Sequence, residues 1–76
     1  MISNQELKDI KNRLENTSKG TWQAFVEDRD FESGSSFIKT EGDDIELIGA
    51  TEADYDFIAH AKEDISKLLD EIERLR

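Results

Sequence analysis

The pattern of apolar and polar positions changes twice along the chain, and each change marks a boundary between predicted elements. Up to about residue 17 the apolar residues recur every three or four positions, which is the spacing of one helix face. Between residues 21 and 49, short runs of aromatic and β-branched residues are separated by turn residues, which indicates strands. From Glu52 onward the helical spacing returns. The pattern predicts one α+β domain, residues 1–76, of the order α-β-β-β-α.

The first predicted helix covers about residues 3–17 and has a clear start. Ser3 is a good N-cap, and Glu6 three positions later completes a capping box. The apolar side of this helix is narrow and consists of Leu7, Ile10 and Leu14. Gly20 offers a left-handed exit after the helix.

Three strands are predicted, at about residues 21–27, 36–40 and 44–49. In the first of them Trp22, Ala24 and Val26 fall on one face, because side chains alternate along a strand. The connections are short, which favours antiparallel neighbours. We therefore expect a three-stranded antiparallel meander, packed with the N-terminal helix and a long, amphipathic C-terminal helix.

The C-terminal helix is predicted over about residues 52–75, with Thr51 as N-cap and acidic residues where the helix dipole favours them. Its apolar residues repeat every seven positions, as in a coiled coil. This stripe is longer than a sheet of short strands can cover, so the N-terminal helix, a second copy of the chain, or both are expected to pack on it. We expect a homo-oligomer, a dimer or higher, with its interface at Ile58, Ala61, Ile65, Leu68, Leu69, Ile72 and Leu75.

The net charge of −9 is concentrated in the middle of the chain. Residues 21–61 hold eleven acidic and two basic residues, whereas both ends are nearly balanced. Such a surface repels nucleic acids and attracts basic proteins, so direct nucleic-acid binding is not expected. The chain has no cysteine and no apolar run of about 18 residues. These features predict a soluble, cytoplasmic protein without disulfides and without membrane binding.

Few residues suit catalysis or metal binding. His60 is the only histidine, and it shares a helix face with Asp56 and Glu63; a solvated flank explains this set better than a metal site. The acidic run 28–39 begins like a calcium loop but has Ser33 and Lys39 where glycine and glutamate are needed. With no phosphate loop or nucleophile motif present, we predict no enzyme, metal or cofactor.

Trp22 has two possible roles. It is either a core residue of the first strand or a platform on which a nucleotide base stacks at a subunit boundary. Lys19, Arg29, Lys39 and Lys62 are the possible counter-charges for a nucleotide. The predicted ligand-binding residues are Gly20, Trp22, Asp54, Phe57, His60 and Lys62.

Two stretches carry a resemblance to a known group of proteins. The "GTW" turn after the first helix and the C-terminal "ADYDFIAHAKEDI" and "LLDEIERLR" resemble small phage and prophage proteins of the Ead-like early-protein group of lambdoid phages. The resemblance covers about half the chain and includes Asp54, Phe57, Ile58 and Ala59. It departs from the group at Lys62 and Ser66, where arginine and proline are common.

The resemblance implies a setting in phages or other mobile elements. With the charge pattern, it leads us to expect a non-enzymatic accessory protein that binds and inhibits a host or defence protein as an acidic oligomer. One alternative is an anti-defence sponge that sequesters a signalling nucleotide at a subunit interface. Another is a metal-assisted enzyme whose activity depends on His60.

Overall fold

The fold consists of two helices and a two-stranded antiparallel sheet. The computed structural model describes residues 1–76. The elements are α1 (Asn4–Glu15), β1 (Gln23–Phe25), β2 (Phe37–Lys39) and α2 (Glu52–Leu75). The α+β class and both helices agree with the sequence prediction, whereas the three-stranded meander does not form.

Both helices start at capping boxes. The hydroxyl of Ser3 accepts a hydrogen bond from the backbone N–H of Glu6 at 3.0 Å, and the Glu6 carboxylate accepts one from the N–H of Ser3 at 3.1 Å. Thr51 and Asp54 form the same reciprocal pair at the start of α2. Each box satisfies two backbone donors that have no partner within the helix, so it fixes where the helix begins.

The third predicted strand is reduced to a single pair of residues. Ile45 exchanges two backbone hydrogen bonds with Ile38, at 2.8 and 2.9 Å, and the ladder stops there. Continued pairing would join Ser36 to Leu47, but the hydroxyl of Tyr55 lies between them. It accepts a hydrogen bond from Leu47 N at 3.1 Å and lies 3.0 Å from Ser36 O. The side chain from α2 therefore takes the place of the next strand pair, which is why the prediction of a strand at 44–49 is wrong.

The core lies between the sheet and the first half of α2. Val26, Ile38, Tyr55 and Ala59 are buried together, and Ile38 is completely inaccessible to solvent. The surrounding apolar residues are Trp22, Ala24, Ile45, Leu47, Ala50 and Ile58. Trp22, Ala24 and Val26 thus lie on the same side, as predicted, although only Ala24 of the three belongs to β1. On the outer face, the rings of Phe25 and Phe37 stack with their centroids 5.2 Å apart.

The second half of α2 packs against α1, and the two helices run antiparallel. Lys11 pairs with Glu73 at 3.3 Å, and the Arg76 guanidinium donates to Asn4 at 2.7 Å. Leu69 is buried in this part of the structure, whereas Leu68 is exposed. Leu69, one of the predicted oligomer-interface residues, is already buried within the chain. The molecule is elongated, 47 × 22 × 20 Å.

Candidate functional site

A cluster around Trp22 joins α1, β1 and α2. The Lys62 amine donates to the backbone oxygens of Ser18 at 2.6 Å and Gly20 at 2.9 Å. The indole N–H of Trp22 also donates to Ser18 O, at 2.9 Å, and the Lys62 nitrogen lies 5.5 Å from the centre of the Trp22 ring. This distance is within cation–π range. The carbonyls of Ser18 and Gly20, in the turn after α1, thus accept hydrogen bonds from Trp22, which precedes β1, and from Lys62 of α2.

Two cavities flank this cluster. The larger, of about 400 Å³, is lined mostly by residues of polar type, and its lining includes Lys19, Gly20, Trp22, Lys62 and Ser66. The second, of about 280 Å³, lies along the groove between α1 and α2 and is mainly apolar. Its apolar lining consists of Ile10, Leu14, Trp22, Ile58, Ala61 and Ile65. Trp22 and Lys62 line both cavities, so these two side chains stand between a polar and an apolar concave surface.

The φ angle of Gly20 is +85°, a conformation that favours glycine. A Cβ at this position would also collide with the side chain of Glu41. The same contact region includes a hydrogen bond from Glu41 N to Lys19 O at 3.0 Å. Gly20 therefore permits both the turn after α1 and its close approach to the loop that follows β2.

Of the six predicted ligand-binding residues, the structure brings three together. Gly20, Trp22 and Lys62 line the larger cavity, whereas Asp54, Phe57 and His60 do not. Asp54 is occupied in the capping box of α2. Phe57 and His60 are exposed, and Nδ1 of His60 lies 2.7 Å from the carbonyl oxygen of Asp56.

A second polar cluster centres on Arg29. Its guanidinium donates to Asp56 at 2.8 and 3.1 Å, to Glu52 at 2.8 Å, and to the adjacent Asp30 at 2.9 and 3.0 Å. The hydrogen bonds with Asp56 and Asp30, followed by the one with Glu52, raise the pKa of Arg29 above its ordinary value. In return, the Arg29 hydrogen bonds lower the pKa of Asp30 and of Asp56. Arg29 thereby ties the loop after β1 to the first turns of α2.

Eight acidic residues in the loops beside the sheet are exposed to solvent. They lie in the loops 27–32 and 41–46 and comprise Glu27, Asp28, Asp30, Glu32, Glu41, Asp43, Asp44 and Glu46, all exposed. Because Arg29 is shared among three carboxylates, Lys39 is the one basic residue of 21–61 outside that cluster. Both loops therefore carry an excess of negative charge, although they leave opposite ends of the antiparallel β1–β2 pair; we call the two loops together the acidic end.

Neither of the two acidic groups considered from the sequence forms a metal site in the structure. No set of three or more His, Cys, Asp or Glu residues in residues 1–76 has a geometry that could hold a metal ion. The Asp56 carboxylate faces Arg29, and in the loop after β1 one Asp30 oxygen accepts a hydrogen bond from Val26 N at 2.8 Å. These oxygens are used in holding the loop.

The sequence indicates Arg29 only as a possible counter-charge for a nucleotide and does not predict its carboxylate partners. Asp56 and Glu52 are 27 and 23 positions away, and no spacing rule relates them to Arg29. The role of the Ser18 carbonyl was missed as well, because a backbone acceptor has no signature in side-chain patterns. The alternation of apolar residues places Trp22 on the core face of the first strand, but it does not predict the Lys62 amine that lies over its ring.

Comparison of the chain with protein family models, curated proteins and solved structures found no match. Neither helix contains a segment that is both long and apolar enough to cross a lipid bilayer.

Proposed function

We propose that the protein acts by binding, and that its acidic end docks on a basic surface of another protein and blocks it. The observation that supports this proposal is the exposure of all eight acidic side chains in loops 27–32 and 41–46. None of them is neutralised by a neighbouring lysine, and only Asp30 is paired, with Arg29. A concentrated field of one sign speeds the encounter with a surface of opposite sign and selects against acidic partners.

The loops that carry these charges are held in place. Arg29 fastens the first loop to α2. Just before the second loop, the Thr40 hydroxyl accepts a hydrogen bond from Gly42 N at 2.9 Å and donates one to Asp43 O at 3.1 Å. A preorganised surface loses less conformational entropy on binding than a flexible one. The resemblance to phage early proteins suggests that the blocked protein belongs to a host cell or its defence, so the molecule would be a non-enzymatic inhibitor.

The proposal is tested with a charge reversal at the acidic end. Asp43→Lys combined with Asp44→Lys changes the net charge by +4, and the matched control, Glu63→Lys with Asp70→Lys, makes the same change on the exposed side of α2. Each immobilised protein is presented with a bacterial lysate at low and high salt. We expect the wild type and the control to retain the same bound protein at low salt and to lose it at high salt, because exposed charges are screened. Equal capture by the acidic-end variant would refute the role of this surface.

A nucleotide ligand is the second candidate, and it is favoured by the larger cavity. There, an indole ring and the amines of Lys19 and Lys62 border one concave space of about 400 Å³, a size suited to a small ligand. The Lys62 amine already donates to two carbonyls, so a phosphate would have to compete with Ser18 and Gly20 for it.

Trp22 provides a direct probe for this second candidate, because it is the only tryptophan in the chain. Titration with cyclic dinucleotides and adenine nucleotides should quench its fluorescence and raise Tm in a saturable manner if they bind. Lys62→Met should weaken the effect, whereas Lys67→Met, on an exposed part of α2, should not. Unchanged fluorescence and Tm with every nucleotide would exclude this ligand class at this cavity.

A further inference from the structure

One apolar face of α2 is left open by the fold. Six residues, spaced alternately by three and four positions, form this face, which we call the open stripe: Ile58, Ala61, Ile65, Leu68, Ile72 and Leu75. Within it Ile65, Leu68 and Leu75 are 38%, 61% and 69% exposed. The chain buries the neighbouring face of α2 instead, with Ala59 under the sheet and Leu69 beside α1. α2 therefore has one apolar face for its own fold and a second that α1 and the core partly cover at Ile58, Ala61 and Ile65 but that is open at Leu68 and Leu75.

The residue types of the open stripe follow a specific rule. Isoleucine occupies the first heptad position three times, at Ile58, Ile65 and Ile72, and leucine occupies the second position at Leu68 and Leu75. β-branched residues at the first position with leucine at the second favour two parallel helices, since these side chains pack best in that geometry. The stripe is thus patterned for a second helix of the same kind.

The two flanks of the open stripe carry opposite charges. At 3.6 residues per turn, Asp64 and Glu71 border it on the side away from α1. On the other side, Arg13 of α1 lines the apolar cavity together with Ile65, and Arg76 lies next to the start of α1. Neither Arg13 nor Asp64 makes an ion pair within the chain.

We propose that the open stripe binds a second copy of this chain, with the two α2 helices parallel and related by a two-fold axis. This arrangement places the basic flank of each copy against the acidic flank of the other, so that Arg13 faces Asp64 of the second copy. Arg76 then faces Glu71 of the second copy, the usual pairing of residues five positions apart across a parallel seam. An antiparallel pair would instead bring Asp64 of one copy next to Glu71 of the other, which is repulsive.

The distribution of net charge is compatible with such a dimer. Residues 1–20 contain four basic and three acidic residues, and residues 62–76 contain four and five, so the helical half is nearly neutral. The sheet packs mainly on the Tyr55 and Ala59 side of α2, with Ile58 at the border between this side and the stripe. From Ile58 to Leu75 the stripe is about 26 Å long, at 1.5 Å per residue. This is short for a coiled coil, so we expect Ile10 of α1 to add to the contact. We also expect the fraction of dimer to depend on protein concentration.

Sedimentation equilibrium over a wide range of protein concentration tests whether the dimer forms. We expect a monomer–dimer equilibrium in which Leu68→Glu raises the Kd by about tenfold or more, because it buries an unpaired charge in the seam. Ile48→Glu is the matched control, since Ile48 is fully exposed outside the stripe, and it should leave the Kd unchanged. Circular dichroism of the dilute proteins checks that each variant folds. A monomer at every concentration, or a dimer that Leu68→Glu does not weaken, overturns the proposal.

A charge exchange tests the facing flanks. Arg13→Glu and Asp64→Arg should each weaken the dimer, and the double variant should recover most of the wild-type Kd, because the pair is restored with its charges reversed. In an antiparallel dimer these residues do not face each other, so the double variant would remain as weak as the single variants. Failure of the rescue therefore overturns the parallel arrangement.

The absence of cysteine allows one further test of orientation. Leu75→Cys places a single thiol at an exposed second heptad position. In a parallel dimer the two thiols meet and should form a disulfide in a redox buffer, whereas in an antiparallel dimer they would be about 25 Å apart, far beyond bonding reach. A disulfide-linked dimer supports the proposal, and a chain that stays reduced contradicts it. These tests do not depend on the acidic end, so they can succeed or fail independently of the proposed inhibitor function.

Discussion

The hydroxyl of Tyr55 both interrupts the third strand and connects α2 to the sheet. It lies between two backbone segments that would otherwise pair, and it is within 3.2 Å of Ser36 O, Leu47 N and Leu47 O. A hydroxyl has one hydrogen, so it accepts from Leu47 N while donating to one of the two carbonyls at a time. The same group that interrupts the third strand thereby fastens α2 to the sheet.

Tyr55→Phe should reveal the contribution of this hydroxyl. The change removes only the oxygen and leaves partly buried backbone groups without a partner, which costs about 1–3 kcal/mol of unfolding free energy. Urea denaturation measures this loss. Hydrogen exchange locates it, because the Leu47 amide should lose protection while the Ile45 amide, which donates to Ile38 O, should keep it. Unaltered protection of Leu47 would contradict this account of the strand.

The ion pairs of Arg29 make the stability of the fold depend on pH under acidic conditions. The pKa values of Asp30 and Asp56 lie below their ordinary value in the folded state, chiefly through hydrogen bonds with Arg29. Their stabilisation is complete above the unfolded-state pKa of about 3.9 and is lost as the pH falls through the lower folded-state values. We expect Arg29→Ala to lower Tm by several degrees at neutral pH.

The difference in Tm between the wild type and Arg29→Ala should therefore shrink as the pH is lowered below about 4. Lys67→Ala removes a cation from an exposed i,i+4 pair with Glu63, and it should change Tm very little at any pH. Thermal unfolding followed by circular dichroism across this pH range checks both. A difference between the wild type and Arg29→Ala that is constant with pH would show that the carboxylates are not the partners that matter.

At the scale of elements, the sequence was most informative where the determinants are local. Ser3 with Glu6 and Thr51 with Asp54 predict both helix starts, because capping boxes act over three residues. The third strand could not be predicted correctly, since its fate depends on Tyr55, which lies eight residues beyond Leu47 on another element. The candidate site shows the same limit. Residue type alone groups Gly20, Trp22 and Lys62 with His60 as possible ligand-binding residues. Only the tertiary packing brings the first three together at one cavity and leaves His60 outside it.

α1 is the element with the weakest attachment. It contains no buried residue, and it is joined to α2 by the apolar residues along their groove and by exposed polar contacts such as that of Lys11 with Glu73. Short helices are marginal in water without tertiary packing. We predict that the α1 amides exchange with solvent faster than the amides around Ala59 in α2, as measured by native-state hydrogen exchange. Leu69→Ala should widen this difference, whereas Leu75→Ala in the monomer should not. Equal protection of both helices would disprove it.

The core of this elongated molecule is small. Only six of 76 residues are buried, and Ile38 is the one large side chain with no exposed surface. At 0.05 to 0.15 kcal/mol per residue, a chain of this length has an unfolding free energy of about 4–11 kcal/mol, and so small a core places it near the lower value. A substitution at the centre of the core should therefore be decisive.

Ile38→Ala should cost about 2–5 kcal/mol, from lost burial and from the cavity left behind. Ile38 pairs with Ala24 of β1 and with its bridge partner Ile45. The substitution should therefore weaken the interactions that hold the acidic end to α2. We expect the variant to be largely unfolded at 37 °C, and Ile38→Val to lose only about 1 kcal/mol. Ile48→Ala, at a fully exposed position, serves as the control and should unfold like the wild type in urea. If Ile38→Ala had a Tm within a few degrees of the wild type, the core around Ile38 would not be the main source of the unfolding free energy. The packing of α2 against α1 or against a second copy would then have to supply it.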